Sequence, residues 1–346
     1  YIDGEGSNKA LELFNPTNNA IDLSNYYLTI LTNGSFVPTY EILLTGTLNP
    51  NETFVITNEL ADANLLDKAN LTHKNILFDG NDTIQLRKVS NDTYIDSIYH
   101  VGNISSTLNS EVFVRREHIT AGNRTFYQTD WFSFIPTYLE GIGTHPFTGD
   151  ERPKFELIAD KTFQQYGMTK VKLISVADGD TIYVESLDPR DTTSYTGNSR
   201  LRFLLVDTPE TQKPGVTGQP YANVATALTS NVLNLASEIY IQSDPAAGLT
   251  ETYGRHLALI WFHLDEDYTF EILKDKDGNS VVIKAGWSLL NYELVRLGLG
   301  EKNSGKTLNY QLSPIYSNRY LYSWVESALL YAQENELGLY SGVHMN

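Results

Sequence analysis

TKVKLISVADGDTIYVES, residues 169–186, reads as two β-type runs interrupted by Asp178, Gly179 and Asp180. A second run, SRLRFLLVD at 199–207, ends the same way, on Asp207, Thr208, Pro209 and Glu210. Taken alone, ADGDT is a tight turn, because Asp and Gly are favoured there for backbone reasons. Two apolar strands that both end on acids point to the mouth of a barrel, where side chains distant in sequence converge. The next stretch places Ala222, Ala225, Leu228, Val232 and Leu235 at three- and four-residue steps, which predicts a helix. A strand, HLALIWFHL (256–264), and a hairpin pattern, FEILKDKDGNSVVIKAG (270–286), follow. Two helical patterns complete the chain, the second stopping at Gly338. The second half is therefore α+β.

The first half differs. Short β-type runs such as ALELF (10–14), YYLTIL (26–31), TFVIT (53–57) and TIQLRK (83–88) alternate with turn clusters NPTNN, TNGS, NPNE and DGND. That spacing predicts an all-β sandwich. The segment DERPKFELIADKTFQQYG breaks the pattern and reads as a linker. The expected organisation is a sandwich at 1–149, a linker at 150–167 and a barrel domain with helices at 168–346.

At 346 residues, the chain is long enough for two domains. It has no cysteine, which excludes disulfides, zinc ribbons and thiol nucleophiles. No apolar run approaches the ~20 residues needed to cross a bilayer. The net charge is −17, and both halves are acidic, so nonspecific coating of nucleic acid by lysine and arginine is excluded. An enzyme on a polyanion remains compatible with this charge if a few arginines and a metal ion supply positive charge at the reaction centre.

Asp180 and Asp207, if brought together, provide two hard oxygen ligands, and the Thr208 carbonyl a third. Such a set suits Ca²⁺ rather than zinc. Glu210 can then face a water as proton acceptor, and Pro209 restricts the loop between them. Arg202 lies among apolar residues and needs an anion, either a phosphate or a neighbouring acid. It is five positions from Asp207, so a regular strand would point the two to opposite faces. A bend before Asp207 is required if both serve one site. Tyr253, Gly254 and Arg255 open the next strand, and with Arg202 they make two guanidinium forks matched to phosphate oxygens. DKDGNS (275–280) lacks the later ligands of an EF-hand and reads as a hairpin turn. The seven histidines show neither H-x3-H nor H-E-x2-H spacing.

In this order, DGDT, R-x4-DTPE and YGR resemble the active-site pattern of the staphylococcal nuclease-like (thermonuclease) family, over roughly residues 169–342. The resemblance implies a five-stranded OB-fold barrel with helices, and hydrolysis of DNA and RNA phosphodiesters with Ca²⁺ to 3′-phosphate products. It places Asp180, Asp207 and the Thr208 carbonyl on calcium, with Asp178 outside them. Arg202 and Arg255 would hold the scissile phosphate, Glu210 would assist the attacking water, and Tyr253 would bond a neighbouring phosphate. Glu251 departs from the pattern, standing where relatives generally carry aspartate. The family's base-stacking tyrosines have no secure counterpart here, with Tyr310 and Tyr316 as candidates.

The first domain is similar to lamin-tail domains, immunoglobulin-like sandwiches attached to secreted bacterial nucleases as well as nuclear lamins. The resemblance rests on GEGSNKALELFNPTNNAIDLSNYYLTI, NPNETFVIT, FDGNDTIQLRK and TDWFSFIPTYLEGIGTHPF. Its net charge disfavours DNA as its ligand. A surface protein, a polysaccharide or the nuclease domain itself is the expected partner, with inert spacing as the alternative. The whole is expected at the cell surface or outside the cell. Two rival readings are a noncatalytic nucleic-acid-binding OB-fold protein, which a plasmid-degradation assay would separate, and an adhesion protein acting through the sandwich, which binding of residues 1–150 to cells would support.

Overall fold

The computed structural model describes residues 1–102, 104, 111–116, 119–139, 141–145, 152–212, 214–215, 217–303 and 314–342. The chain forms two units, Tyr1–Gly149 and Asp150–Asn346.

In the first unit, twelve strands are found among the described residues: β1 Ile2–Asp3, β2 Lys9–Phe14, β3 Ile21–Asp22, β4 Tyr26–Leu31, β5 Tyr40–Leu43, β6 Thr47–Leu48, β7 Thr53–Thr57, β8 Leu71–Thr72, β9 Thr83–Lys88, β10 Tyr94–Ile98, β11 Val112–Arg115 and β12 Trp131–Phe134. One helical turn, α1, spans Ala63–Leu66. The larger sheet runs β12-β11-β1-β2-β7-β8 and the smaller β10-β9-β4-β5. Leu11, Ile56 and Phe113 from the first sheet and Leu28, Ile30 and Ile84 from the second share one apolar cluster, as expected of a sandwich whose inward faces alternate with polar outward ones. The all-β immunoglobulin-like reading describes this unit.

A charge-bearing residue is sealed inside it. Glu111, just before β11, is fully buried; one carboxylate oxygen accepts from Ser133 Oγ at 2.5 Å, and the other has no hydrogen-bond partner. Burial pushes its carboxyl up to about 9, against the Ser133 hydrogen bond and with a smaller contribution from the Asp3 carboxylate.

The second unit contains β13 Met168–Asp178, β14 Thr181–Ser186, β15 Leu201–Phe203, β16 Val206–Asp207, β17 Glu238–Gln242, β18 His256–Leu264, β19 Tyr268–Lys274, β20 Ser280–Ile283, β21 Gly286–Leu289, β22 Glu301–Lys302, β23 Ile315–Tyr316 and β24 Arg319–Tyr320. Its helices are α2 Ala222–Leu235, α3 Leu290–Arg296 and α4 Leu321–Glu334. The main sheet runs β15-β14-β13-β17-β18-β21, and β15 also pairs in parallel with β18. That extra pairing closes β13, β14, β15, β18 and β17 into a five-stranded barrel of the OB type. The long β13 makes this possible: its first half pairs with β17 and its second half with β14, across two register shifts that bend it. Ile182, Leu201, Ala258, Ile260 and Ile241 fill the barrel, while Ala225, Leu228 and Val232 seat α2 against it. The helical stripe is therefore the one the spacing predicts.

Part of the stretch expected to be a linker packs as an integral piece of this unit. Phe155 stacks on Trp287 with ring centres 3.8 Å apart, and Phe163 is fully buried. Arg152 donates to the carbonyls of Lys284 and Ala285 at 2.9 and 2.5 Å. Charged residues between these aromatics obscured the pattern, because only every few positions turn inward. DKDGNS is the turn of the β19–β20 hairpin, and Asp275 Oδ1 accepts from the amides of Asp277 and Asn279.

Candidate active site

The site is built at the ends of β13, β15 and β16 and the start of β18. Asp178 and Asp180 flank Gly179 in the turn between β13 and β14. Glycine is required there by close packing rather than by its backbone angle. A Cβ at residue 179 would lie 2.7 Å from Thr208 Oγ1 and 2.8 Å from the Ala225 methyl. Thr229, one turn along α2, donates to the Gly179 carbonyl at 2.6 Å. The helix thus holds the acidic turn from behind.

Asp180 is 3% exposed and saturated with donors. Its Oδ2 accepts from Thr208 N at 2.7 Å and Thr208 Oγ1 at 3.0 Å, and its Oδ1 from Thr181 Oγ1 at 3.1 Å. Arg202 lies across the ladder from Thr181, and its guanidinium forms ion pairs with Asp180 through one nitrogen and with Asp207 through the other. The two acids therefore face one cation.

The bend that the parity of 202 and 207 demands is present. Strand β15 stops at Phe203, Leu205 takes φ 67°, and β16 resumes at Val206, now paired with β22. A left-handed conformation is uncommon for leucine, and here it swings Asp207 back to the face of Arg202.

Arg255 enters from the other side. Glu251 N donates to the Arg255 carbonyl and Gly254 N to that of Glu251, both at 3.0 Å, so residues 251–255 form a tight turn, with Gly254 at φ 82°. Glu251 grips the Arg255 guanidinium at two points, NH2 to Oε2 at 2.9 Å and Nε to Oε1. The hydrogen bonds to Glu251 hold the guanidinium above its ordinary range against partial desolvation, and the Asp178 and Glu210 carboxylates act the same way. Those two acids are therefore electrostatic neighbours of Arg255. Tyr253, at the tip of the turn, is 81% exposed.

The structure thus brings Asp180, Arg202, Asp207 and Thr208 into direct contact. It places Glu210 and Asp178 in the field of Arg255, and leaves Tyr253 on the surface beside them. Tyr316 is buried, donates to Gln242 Oε1 at 2.9 Å and packs edge-on against Trp261, so it is a core residue and not a stacking platform. Tyr310 lies outside the described residues.

Among the described residues no three His, Asp or Glu side chains are gathered for a metal ion. The candidate donor set is smaller: the carboxylates of Asp180 and Asp207, already turned toward one positive charge, and the Thr208 carbonyl. All are hard oxygens, so the set fits a cation that completes its shell with water.

Sequence reasoning missed Thr229 and Gln219. Gln219 Oε1 accepts from Glu210 N at 2.6 Å, and Gln219 N donates to the Glu210 carbonyl at 2.9 Å. A polar residue at the outset of a helix carries no periodic signal, although Gly218 and Pro220 on either side do mark a constrained entry.

Residues 200–311, which carry Arg202, Asp207, Glu210 and Arg255, match the family model described as staphylococcal nuclease homologue. The second unit contains a staphylococcal nuclease homologue domain. Residues 1–102 match the Lamin Tail Domain, so the chain joins the two domains in that order. The nuclease-homologue domain is similar to the thermonuclease of Staphylococcus intermedius, 35% identical over 101 residues, which is 29% of this chain and 52% of that protein. It is also similar to endonuclease YncB of Bacillus subtilis (strain 168), 34% identical over 97 residues, 28% of this chain and 41% of the relative. A third relative, the SPbeta prophage-derived endonuclease YokF of the same organism, is 34% identical over 95 residues, 27% of this chain and 28% of its own length. The chain spans about half or less of the length of these relatives.

Proposed function

We propose that the nuclease-homologue domain is a Ca²⁺-dependent phosphodiesterase that cleaves DNA and RNA to 3′-phosphate products, in a protein that works outside the cell or on its surface. The observation that carries this reading is the single guanidinium of Arg202 bonded to both Asp180 and Asp207. It supports the reading because two acids far apart in sequence turn toward one positive charge. The expected location rests on the likeness to secreted nucleases bearing lamin-tail domains; no described helix is long and apolar enough to cross a membrane.

Asp180, Asp207 and the Thr208 carbonyl would hold the calcium, which when bound polarises a phosphoryl oxygen. Arg202 would offer its fork to the phosphate, and Arg255 would meet it from the β18 side. Guanidinium pairs suit the planar, paired oxygens of a phosphodiester and stabilise charge that grows during attack. Glu210 accepts a proton as water oxygen bonds to phosphorus. The bond from phosphorus to the 5′ oxygen breaks, and that oxygen takes a proton from solvent. Tyr253 donates to an adjacent phosphate. The uncatalysed reaction is among the slowest known, so several such contributions must combine.

Digestion of circular single- and double-stranded DNA and of RNA, with and without Ca²⁺, followed by analysis of product ends, tests the proposal. Calcium-dependent products ending in 3′-phosphate are expected. Intact circles at all calcium concentrations would refute it.

A further inference from the structure

The two arginines of the candidate site come from different strands, and one buried residue lies between them. Leu201 pairs in parallel with His256, and Arg202 with Leu257. Leu201 and Phe203 are buried in the barrel, so alternation turns Arg202, between them, to the opposite face. His256 is the buried partner of Leu201, and the same alternation gives Arg255, just before it, the face of Arg202. The separation of the two guanidinium groups is therefore set by how the first residue of β18 meets the chain entering β15.

His256 makes that meeting with both its main chain and its ring. Its N–H donates to the Arg200 carbonyl at 2.9 Å, and its Nδ1 donates to the Ser199 carbonyl at 2.8 Å. Two successive carbonyls held by one residue fix the direction of the incoming strand as well as its position. Tyr195 and Phe163 hold the ring edge-on, with centres 5.1 and 5.8 Å away. Tyr195, fully buried, donates through its hydroxyl to Asp191 Oδ2 at 2.5 Å, and Thr169 of β13 donates to the same oxygen at 2.8 Å. Phe163 N donates to Thr169 Oγ1 at 2.9 Å, so both rings that flank the imidazole are tied to one point on the barrel wall.

We infer that His256 is a positioning residue for the arginine pair: its imidazole, wedged between Tyr195 and Phe163, draws the 199–200 carbonyls onto β18 and so sets the spacing of Arg202 and Arg255 across a phosphate. The inference rests on the nuclease reading above. A misplacement of about 1 Å can cost roughly 10²-fold in rate, so the effect is read in turnover. Asp180 takes its hydrogen bonds from Thr181 and Thr208, so calcium binding does not depend on the imidazole.

Three replacements in the full chain test this. Asparagine puts an amide donor where Nδ1 stands, glutamine puts the same donor further out, and phenylalanine keeps the ring with no donor. His256→Asn should retain most of the wild-type kcat. His256→Gln and His256→Phe should lower kcat by about 10- to 100-fold, while calcium affinity from calorimetric titration stays within about two-fold of wild type. Hydrogen exchange at the residue 256 amide, bonded to the Arg200 carbonyl, should quicken in those two variants and not in His256→Asn. In an Arg255→Lys background, His256→Gln should cost far less than in the wild type, because the spacing of two forks has no effect once one of them is gone. The contrast of asparagine with glutamine involves one chemistry at two reaches, so it decides the matter even if His256→Phe does not fold. Equal kcat in His256→Asn and His256→Gln would assign His256 a structural role and overturn the inference, as would equal losses with and without the Arg255 fork, or calcium affinity that falls in step with kcat. A wild-type protein that cleaves no substrate overturns the nuclease reading itself, and the positioning role with it; an active wild type indifferent to His256→Gln overturns the positioning role alone.

Discussion

Arg202 joins Asp180 to Asp207, one nitrogen of its guanidinium on each carboxylate. A lysine at this position offers a point charge on a flexible stem and cannot span both acids, nor grip two phosphate oxygens at once. Arg202→Lys is expected to lower kcat by about 10²-fold or more while the barrel stays folded. Steady-state cleavage kinetics with circular dichroism on the same sample check this. Full activity would remove Arg202 from the mechanism.

On the proposed reading the same two acids hold calcium, and the ion should then have a measurable effect on stability. A ligand that binds only the folded state at 100 times its Kd stabilises by about 2.7 kcal/mol. Calcium should therefore raise the unfolding temperature of the wild-type chain, and Asp180→Asn should abolish that rise. EDTA should stop cleavage and added Ca²⁺ restore it. Calorimetric titration of calcium into both proteins reads the binding directly, and equal affinity in Asp180→Asn would dismiss the assignment.

Gly179 is fixed by contact with Thr208 and Ala225. A methyl group placed there meets atoms under 3 Å away on two sides, so either the turn or α2 must move. Gly179→Ala should cost about 1–3 kcal/mol in stability, the ordinary penalty for overpacking, and should cut activity by displacing Asp180. Thermal unfolding and cleavage rates measured together distinguish this from a surface glycine, where both would stay near wild type.

Glu111 gives the sandwich a pH dependence of its own. Its carboxyl sits at about 9 in the fold, against 4.5 in the reference state, so the folded chain keeps a proton that the unfolded chain releases. The resulting stability is complete below about pH 4.5 and is lost progressively as pH rises through 9, by about 1.4 kcal/mol per pH unit within that window. Glu111→Gln, which cannot ionise, should flatten this slope. Unfolding of the full chain followed between pH 5 and 10 decides the matter; parallel slopes in wild type and variant would place the titration elsewhere.

Much of this was legible in the sequence because the site and the barrel use strong local signals. Two acids around Gly179, a proline between Asp207 and Glu210, and apolar strands ending at both positions marked the mouth of the barrel. Parity, once Arg202 and Asp207 were assigned to one site, required the bend that Leu205 supplies. What was not legible depends on contacts that leave no periodic trace. Phe155 and Phe163 are packed residues in a stretch rich in charge, and so read as linker. Tyr316 sits where a stacking tyrosine was considered, yet its partners Gln242 and Trp261 come from β17 and β18, more than fifty residues earlier. Gln219 was hidden because its contacts are two hydrogen bonds to the Glu210 backbone across a loop, and a glutamine before a proline is unremarkable as sequence.

Barrel closure has a consequence for heat tolerance. The closing joint pairs Leu201, Arg202 and Phe203 with His256, Leu257 and Ala258, only three residues on each side. Arg202 lies in that joint and Arg255 immediately precedes it. Breathing at this seam pulls the two guanidinium groups apart while most of the hydrophobic interior remains intact. Inactivation by warming is therefore expected as a local event that precedes melting, and a bond stapled across the seam should protect function before it changes the melting point.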